Sequence, residues 1–328
     1  MPQFNYTTAA NVFDGWRDDV LTGSPPTFYP IGSGALARLE IGPKLVTLFG
    51  GAPGAGKTAL TMQFVIDALR LTPTLKSLVC NIEMPAAVLL DRQLARLSGI
   101  DGETIRYRRF AAEHADRLDQ GLRTLETVAD RLAFVKPPFD LANVAASADA
   151  FGADLLVLDY IQRIAPPGQH ADNRASVNST MGFLREFADA GVAVLVLSSV
   201  GRTKDTKGRS SYSGDGLNLA SFRESSELEF GADDAFILVP DENADYDTVT
   251  VTLRHLKARH TAPKDLVLDF DRRTQRFAEI ENPNAWNPGH PLAGHGPARG
   301  KLQSALKRAW DSTPPADADG DQGGRDEF

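Results

Sequence analysis

Eight residues limit the fold of this chain more than any others. Gly51-Ala52-Pro53-Gly54-Ala55-Gly56-Lys57-Thr58 fits the pattern G-x4-G-K-[ST]. Average residue frequencies would produce that pattern by accident in about one chain in a hundred of this length. It lies between the apolar run LVTLF (45–49) and a helical pattern from Lys57 to about Leu71, the strand–loop–helix context that such a P-loop requires. Its glycines let successive backbone N–H groups point inward, and the helix N-terminus adds positive potential. Residues 51–59, ending at Ala59, are therefore the expected cradle for the phosphates of a nucleotide. Lys57 is expected to reach the β and γ oxygens, and Thr58 to offer its hydroxyl to Mg²⁺.

The rest of the pattern agrees with an α/β fold. From about residue 30 to 280, short apolar runs alternate with longer helical patterns, the signature of a mostly parallel sheet. SLVCNI (77–82), DLLVLD (154–159) and VAVLVLSS (192–199) read as further buried strands, with a helix near 175–189 before the last. Pro85 suits the first turn of a helix, and residues 111–132 read as one long amphipathic helix. After Ala235 the runs DAFILV, DTVTVTLRHLKAR and DLVLDF are β-rich with short connections, so the sheet is expected to end in antiparallel hairpins.

Three segments follow from composition. Residues 1–29 are expected to hold a short helix, NVFDGWRDDVL, and a Pro-rich linker; 30–281 form the main domain. Residues 282–328 are Pro/Gly-rich, then acidic, and are expected to be largely disordered. The formal charge is −8, but six acidic residues and one Arg lie from Asp311 onward, so the tail holds −5 and the body −3. That balance argues against a general basic coat for nucleic acid and leaves room for a local basic loop. The single cysteine, Cys80, excludes a disulfide scaffold and reads as a packing residue. No apolar run reaches the roughly 18 residues of a membrane span, and the start lacks signal-peptide order, so a cytoplasmic protein is expected.

Two carboxylates complete the candidate site. Asp159 ends the apolar strand LLVLD and is expected to hold Mg²⁺ beside the P-loop. Glu83 ends the strand 77–82, beside the phosphates, and is the expected general base for water. The histidines show no metal-ligand spacing.

Glu83-Met84 followed by Arg92 and LARLSGI (94–100) resembles the "SLEM" stretch of the DnaB-type hexameric replicative helicases. DYIQRI (159–164) is similar to their "DYLQLM", LSSVGR (197–202) stands at their "LSQLNR", FRESSELEFGADDAFIL (222–238) resembles their "LRESGAIEQDADVVLFL", and LKARH (256–260) their "KNRNG". Order and spacing agree from about Phe28 to Phe277. The resemblance implies a RecA-like ATPase core working as a ring, a homohexamer, with ATP at subunit interfaces and single-stranded DNA in the channel. It assigns catalytic roles to Lys57 and Glu83, magnesium to Thr58 and Asp159, and a trans-acting basic pair to Lys257 and Arg259. Alternation along the strand 250–259 puts that pair on one side. The polar stretch 201–220, with Arg202, Lys204, Lys207 and Arg209, is the expected DNA-binding loop, and 166–178 a second candidate loop.

Three departures matter, one being the family's "NG" after the arginine, which is His260-Thr261 here. Ser199 stands where the family has glutamine, and is too short to span from the γ-phosphate to the DNA loop. The family's N-terminal collar is not among the roughly 30 residues that precede the core, so a core-only form without primase contact is expected. Two functions stay open: an ATP-dependent DNA helicase of plasmid or phage type, or a RecA/KaiC-type ATP-switched DNA-binding or loading ATPase that does not unwind.

Overall fold

The computed structural model describes residues 6–168, 172–201, 203–204, 210–211, 217–222, 227–241 and 247–280. In chain order the strands are β1 (Val46–Gly51), β2 (Ser77–Asn81), β3 (Leu132–Phe134), β4 (Leu155–Asp159), β5 (Ala193–Ser199), the short β6 (Thr203–Lys204) and β7 (Ser210–Ser211), β8 (Asp234–Pro240), β9 (Thr248–Ala258), β10 (Leu266–Asp271) and β11 (Arg276–Glu279). The helices are α1 (Ala9–Thr22), α2 (Lys57–Leu71), α3 (Ala86–Ser98), α4 (Gly102–Arg106), α5 (Ala115–Glu126), α6 (Leu141–Phe151), α7 (Asn173–Asp189) and α8 (Glu227–Gly231).

Nine of these strands form one sheet in the order β11-β10-β9-β8-β1-β5-β4-β2-β3. From β8 to β3 every neighbouring pair is parallel. From β8 to β11 every pair is antiparallel. The expected α/β fold, mostly parallel with antiparallel hairpins at the end, is the one observed. Side chains alternate across the central strands: Leu155, Val157, Leu195 and Leu197 enter one core with α2, while Leu156, Leu158, Val194 and Val196 enter the other with α6 and α7. Burial on both faces explains why these strands are continuous apolar runs.

Residues 111–132 are not one helix. A 3₁₀ turn at Ala112–His114 precedes α5, a second at Ala129–Arg131 follows it, and the chain then enters the sheet as β3. The helix stops because Val128 is drawn into the core and Arg131 is committed elsewhere. The Arg131 guanidinium donates to the carbonyls of Leu69, Thr72 and Leu75 at the end of α2, at 2.8, 3.2 and 3.3 Å. β3 is three residues long, too short for alternation to reveal. Likewise α7 starts at Asn173, capped by Asp172, so the last six residues of the candidate loop 166–178 are helical.

The opening helix α1 forms as expected, with Thr8 as its N-cap, and it buries nothing. Val12, Phe13, Trp16, Val20 and Leu21 all lie half-exposed or more. At the other end of the chain, β11 is tied to α2. Gln63 Nε2 donates to Phe277 O at 2.9 Å, and the Phe277 N–H donates back to Gln63 Oε1 at 3.0 Å. Gln63 is buried, so Gln63→Leu would leave two backbone groups without partners. It should lower unfolding free energy by about 2–4 kcal/mol, read from urea denaturation; an unchanged midpoint would show that the buttress does not hold the hairpin.

Candidate nucleotide site

The parallel strands all end on one side, and each end contributes a different group. β1 runs into the P-loop, where Gly54 and Gly56 take left-handed φ values of 78° and 91°. Gly56 also has no room for a side chain: a Cβ there would lie 2.7 Å from Phe277 and 3.0 Å from Phe270. These two rings stack at 4.2 Å and form the floor under the loop. Lys57 opens α2 and folds back over the loop, with Nζ donating to Gly51 O at 2.7 Å and Ala52 O at 3.1 Å.

β2 and β4 end in register, with Asn81 beside Asp159. Asp159 Oδ2 accepts from Thr58 Oγ1 at 2.6 Å and from Asn81 Nδ2 at 2.7 Å. Asn81 Oδ1 in turn accepts the N–H groups of Glu83 at 3.0 Å and Met84 at 2.8 Å, which sets the direction of the chain into α3. At the tip of β5, Gln162 Nε2 donates to Ser198 Oγ at 2.8 Å, and the Ser199 N–H donates to Gln162 Oε1 at 3.4 Å.

Together these ends line a cleft of about 550 Å³ that includes Gly51, Pro53, Gly54, Gly56 to Ala59, Glu83, Arg92, Asp159 and Ser199. Phe270, Arg272 and Gln275 from the C-terminal hairpin form its opposite wall. Of the P-loop, carboxylate and lysine candidates at the phosphate end, all but Ala52 and Ala55 line this one cleft. Asn81, Gln162, Arg272 and Gln275 were missed. A polar residue closing an apolar strand was a usable signal for Asn81. Nothing local marks Arg272 or Gln275, which belong to the site only because β11 folds back on α2.

Burial pushes the Asp159 carboxyl up to about 6, and Glu83 adds to the rise; Thr58, Lys57 and Arg92 oppose it. Burial likewise lowers the Lys57 ammonium, against the pull of Asp159 and Glu83. The Cys80 thiol, fully buried, is pushed up to about 12 by burial, which leaves it a packing residue. Among the described residues no cluster of three His, Cys, Asp or Glu side chains could hold a metal alone. Thr58 and Asp159 still fit magnesium, a hard cation held by one carboxylate, one hydroxyl and phosphate oxygens.

Lys257 and Arg259 lie elsewhere. Lys257 Nζ donates to Phe230 O at 3.2 Å and Ala232 O at 2.7 Å. Arg259 donates to Phe230 O at 3.0 Å and pairs with Asp233 at 2.7 Å. Both side chains reach one patch, as alternation predicted, although a bulge in β9 falls just before Lys257. That patch is at the beginning of β8, level with Thr47 of β1, roughly 15 Å of strand from the P-loop. Arg202, Lys207 and Arg209 lie outside the described residues, and of Lys204 only the backbone, in β6, is described.

The fold and the cleft define an α/β core with a P-loop at the end of its central strand β1. The sequence profile of the DnaB-like helicase C terminal domain family matches residues 41–279, and the chain belongs to that family. It is 24% identical over 237 residues to a probable plasmid replicative DNA helicase of Chlamydia trachomatis, covering 70% of this chain and 49% of that protein. It is 26% identical over 152 residues to the DNA helicase/primase of Enterobacteria phage T3, covering 45% and 25%. The chain thus spans about half the length of the plasmid relative. Among solved structures it resembles a DnaB-like replicative helicase described with its primase interactions (TM-score 0.70, 17% identity, 85% of this chain and 68% of that one). A second solved structure, of an ATPase domain by itself, is similar (TM-score 0.69, 16% identity, 84% and 100%). These likenesses establish the RecA-like fold. No helix among the described residues is long and apolar enough to cross a membrane.

The raised Asp159 group makes a signed prediction. The folded state holds the proton more tightly than the unfolded chain, so this group's stabilisation is full below its unfolded value near 3.8 and is lost as pH rises through about 6. In EDTA, wild type should therefore lose on the order of 2–3 kcal/mol relative to Asp159→Asn between pH 4 and pH 7.5. Parallel denaturation curves for the two proteins across that range would refute the assignment.

Proposed function

We propose that this chain is an ATP-dependent DNA helicase, a homohexameric motor translocating on single-stranded DNA in plasmid or phage replication. Residues 30–281 would be the motor domain. Lys57 and the backbone N–H groups of residues 51–59 other than Pro53 bind the phosphates of ATP, Thr58 and Asp159 hold Mg²⁺, and Glu83 takes the proton of the attacking water. The ion, when bound, neutralises charge on the phosphates. The observation that carries the reading is the separation of the P-loop from Lys257 and Arg259. An arginine side chain cannot cross roughly 15 Å of sheet, so the basic pair serves a phosphate held by another copy, where a fixed guanidinium stabilises the charge of the transferring group. A ring gives every copy such a neighbour.

Two further features fit assembly and DNA binding. The bare apolar face of α1, Val12, Phe13, Trp16, Val20 and Leu21, suits packing on an adjacent copy. The cations Arg202, Lys204, Lys207 and Arg209 supply the phosphate grip that strand tracking needs. Such a protein would work in the cytoplasm. The second reading, a nucleotide-switched DNA-binding or loading ATPase without unwinding, draws on Ser199. It ends at the cleft with a short side chain, and its N–H is engaged by Gln162 rather than reaching onward.

The test is hydrolysis with and without single-stranded DNA, beside a forked-duplex assay. Single strands should stimulate hydrolysis several-fold, and Arg259→Ala should lower it by about 100-fold or more while nucleotide still binds. Mixed rings of Arg259→Ala and Lys57→Ala should regain roughly a quarter of wild-type activity, because one interface in four then pairs an intact P-loop with an intact arginine. Two dead variants that stay dead when mixed would remove the shared site. Slow hydrolysis indifferent to DNA, with an unopened fork, would leave the switch in place of the motor.

A further inference from the structure

The turn between β10 and β11 is fastened to a distant helix. Arg273 Nε donates to Asp101 Oδ2 at 2.7 Å, across 172 residues of sequence. The Gly102 N–H donates to Arg273 O at 2.8 Å, and the Arg272 N–H to Asp247 O at 2.8 Å. Asp101 divides its carboxylate: Oδ1 caps α4 by accepting the Glu103 N–H at 2.7 Å, and Oδ2 takes the guanidinium. Within the turn, the Asp271 carboxylate accepts from the Arg273 N–H and from Thr274, and Gln275 Nε2 donates to Arg272 O at 2.7 Å. The turn is therefore stiff in itself, and its orientation depends on how it is fastened at Arg273.

Its flanking side chains face the chemistry. Arg272 and Gln275, with Arg92, line both the P-loop cleft and an adjoining cleft of about 630 Å³. The fastening adds little to the fold itself: the Arg273 side chain is 59% exposed and that of Asp101 26%, and exposed ion pairs contribute little to stability. A turn held in place before ligand arrives does not have to be ordered when ligand binds, and that difference appears as affinity.

We propose that Arg273 is a positioning residue for nucleotide: its clasp on Asp101 holds Arg272 and Gln275 at the edge of the cleft, where they meet a bound nucleoside triphosphate. This rests on the reading of the P-loop cleft as an ATP site. Loss of the clasp leaves only the backbone bonds to Gly102 and Asp247 to orient the turn and weakens nucleotide binding, while the groups that act on the phosphate stay where they are, so KM rises and kcat holds.

The test uses the full chain, fluorescent N-methylanthraniloyl-ADP with Mg²⁺ for Kd, and steady-state ATP hydrolysis. Arg273→Ala and Asp101→Asn should each raise Kd and KM roughly 3- to 10-fold, with kcat within about twofold and an unchanged melting temperature. Arg273→Lys, which keeps the charge, should recover most of the affinity. The double variant should be no worse than the weaker-binding single, since both remove one interaction. The clasp is refuted if Arg273→Ala leaves Kd within about twofold of wild type, or if the two losses add. Lys57→Ala separates the layers. If it abolishes nucleotide binding while Arg273→Ala changes nothing, only the clasp fails; if it binds as wild type does, the ATP reading fails first.

Discussion

One buried carboxylate sets the arrangement of the whole site. Asp159 is nearly inaccessible to water and ends a strand apolar on both faces. A carboxylate there is costly unless it is hydrogen-bonded, and its Oδ2 accepts from Thr58 of the P-loop and from Asn81 of the neighbouring strand. Three parallel strands separated in sequence are thereby held to one level at their ends. Asn81 extends the same chain of bonds to Glu83 and the start of α3. The positions of Glu83, Thr58 and the P-loop all follow from satisfying a single acidic group.

Much of this was legible in the sequence, and for a reason. The P-loop, Asp159 and Glu83 each sit at the end of an apolar run, and in a parallel sheet all such ends face the same way. The doubly buried strands and α2 were readable because continuous runs and long amphipathic periods leave strong patterns. β3 was hidden because three residues cannot display a period, and because the helical pattern of α5 runs on through Val128 and Leu132 for reasons of core packing. Arg272 and Gln275 were hidden for a different reason. Their role depends on a tertiary return of the chain, with Phe270 and Phe277 pressed against Gly56, and no local signal reports such a contact. Ser199 was visible as a departure from the family, yet the partner that holds its backbone, Gln162, was not.

The electrostatics divide the molecule into two ends. At the C-terminal ends of the parallel strands, acidic and basic groups are buried together, and burial drives Asp159 and Lys57 toward their neutral forms. At the other end of the sheet, Asp233 is buried between Arg185 and Arg259 and accepts the Val46 N–H at 2.8 Å, so the arginine end is also organised around one carboxylate. The two acids are therefore comparable in design and differ in what they present: one the P-loop with Thr58, the other a guanidinium still partly open to solvent.

The pairing of Gln63 with Phe277 spans 214 residues, and it has a meaning in time as well as in space. On the ribosome the phosphate loop emerges early, but the rings that fill the space beneath Gly56 are made among the last strands. At typical synthesis rates of about 5–20 residues per second, the loop waits on the order of 10–40 seconds for its floor. A nascent chain halted between α2 and β11 would carry a complete P-loop sequence without the Phe277 ring that packs beneath it. The packing that supports the loop thus arrives with the last strands of the domain rather than with the motif itself.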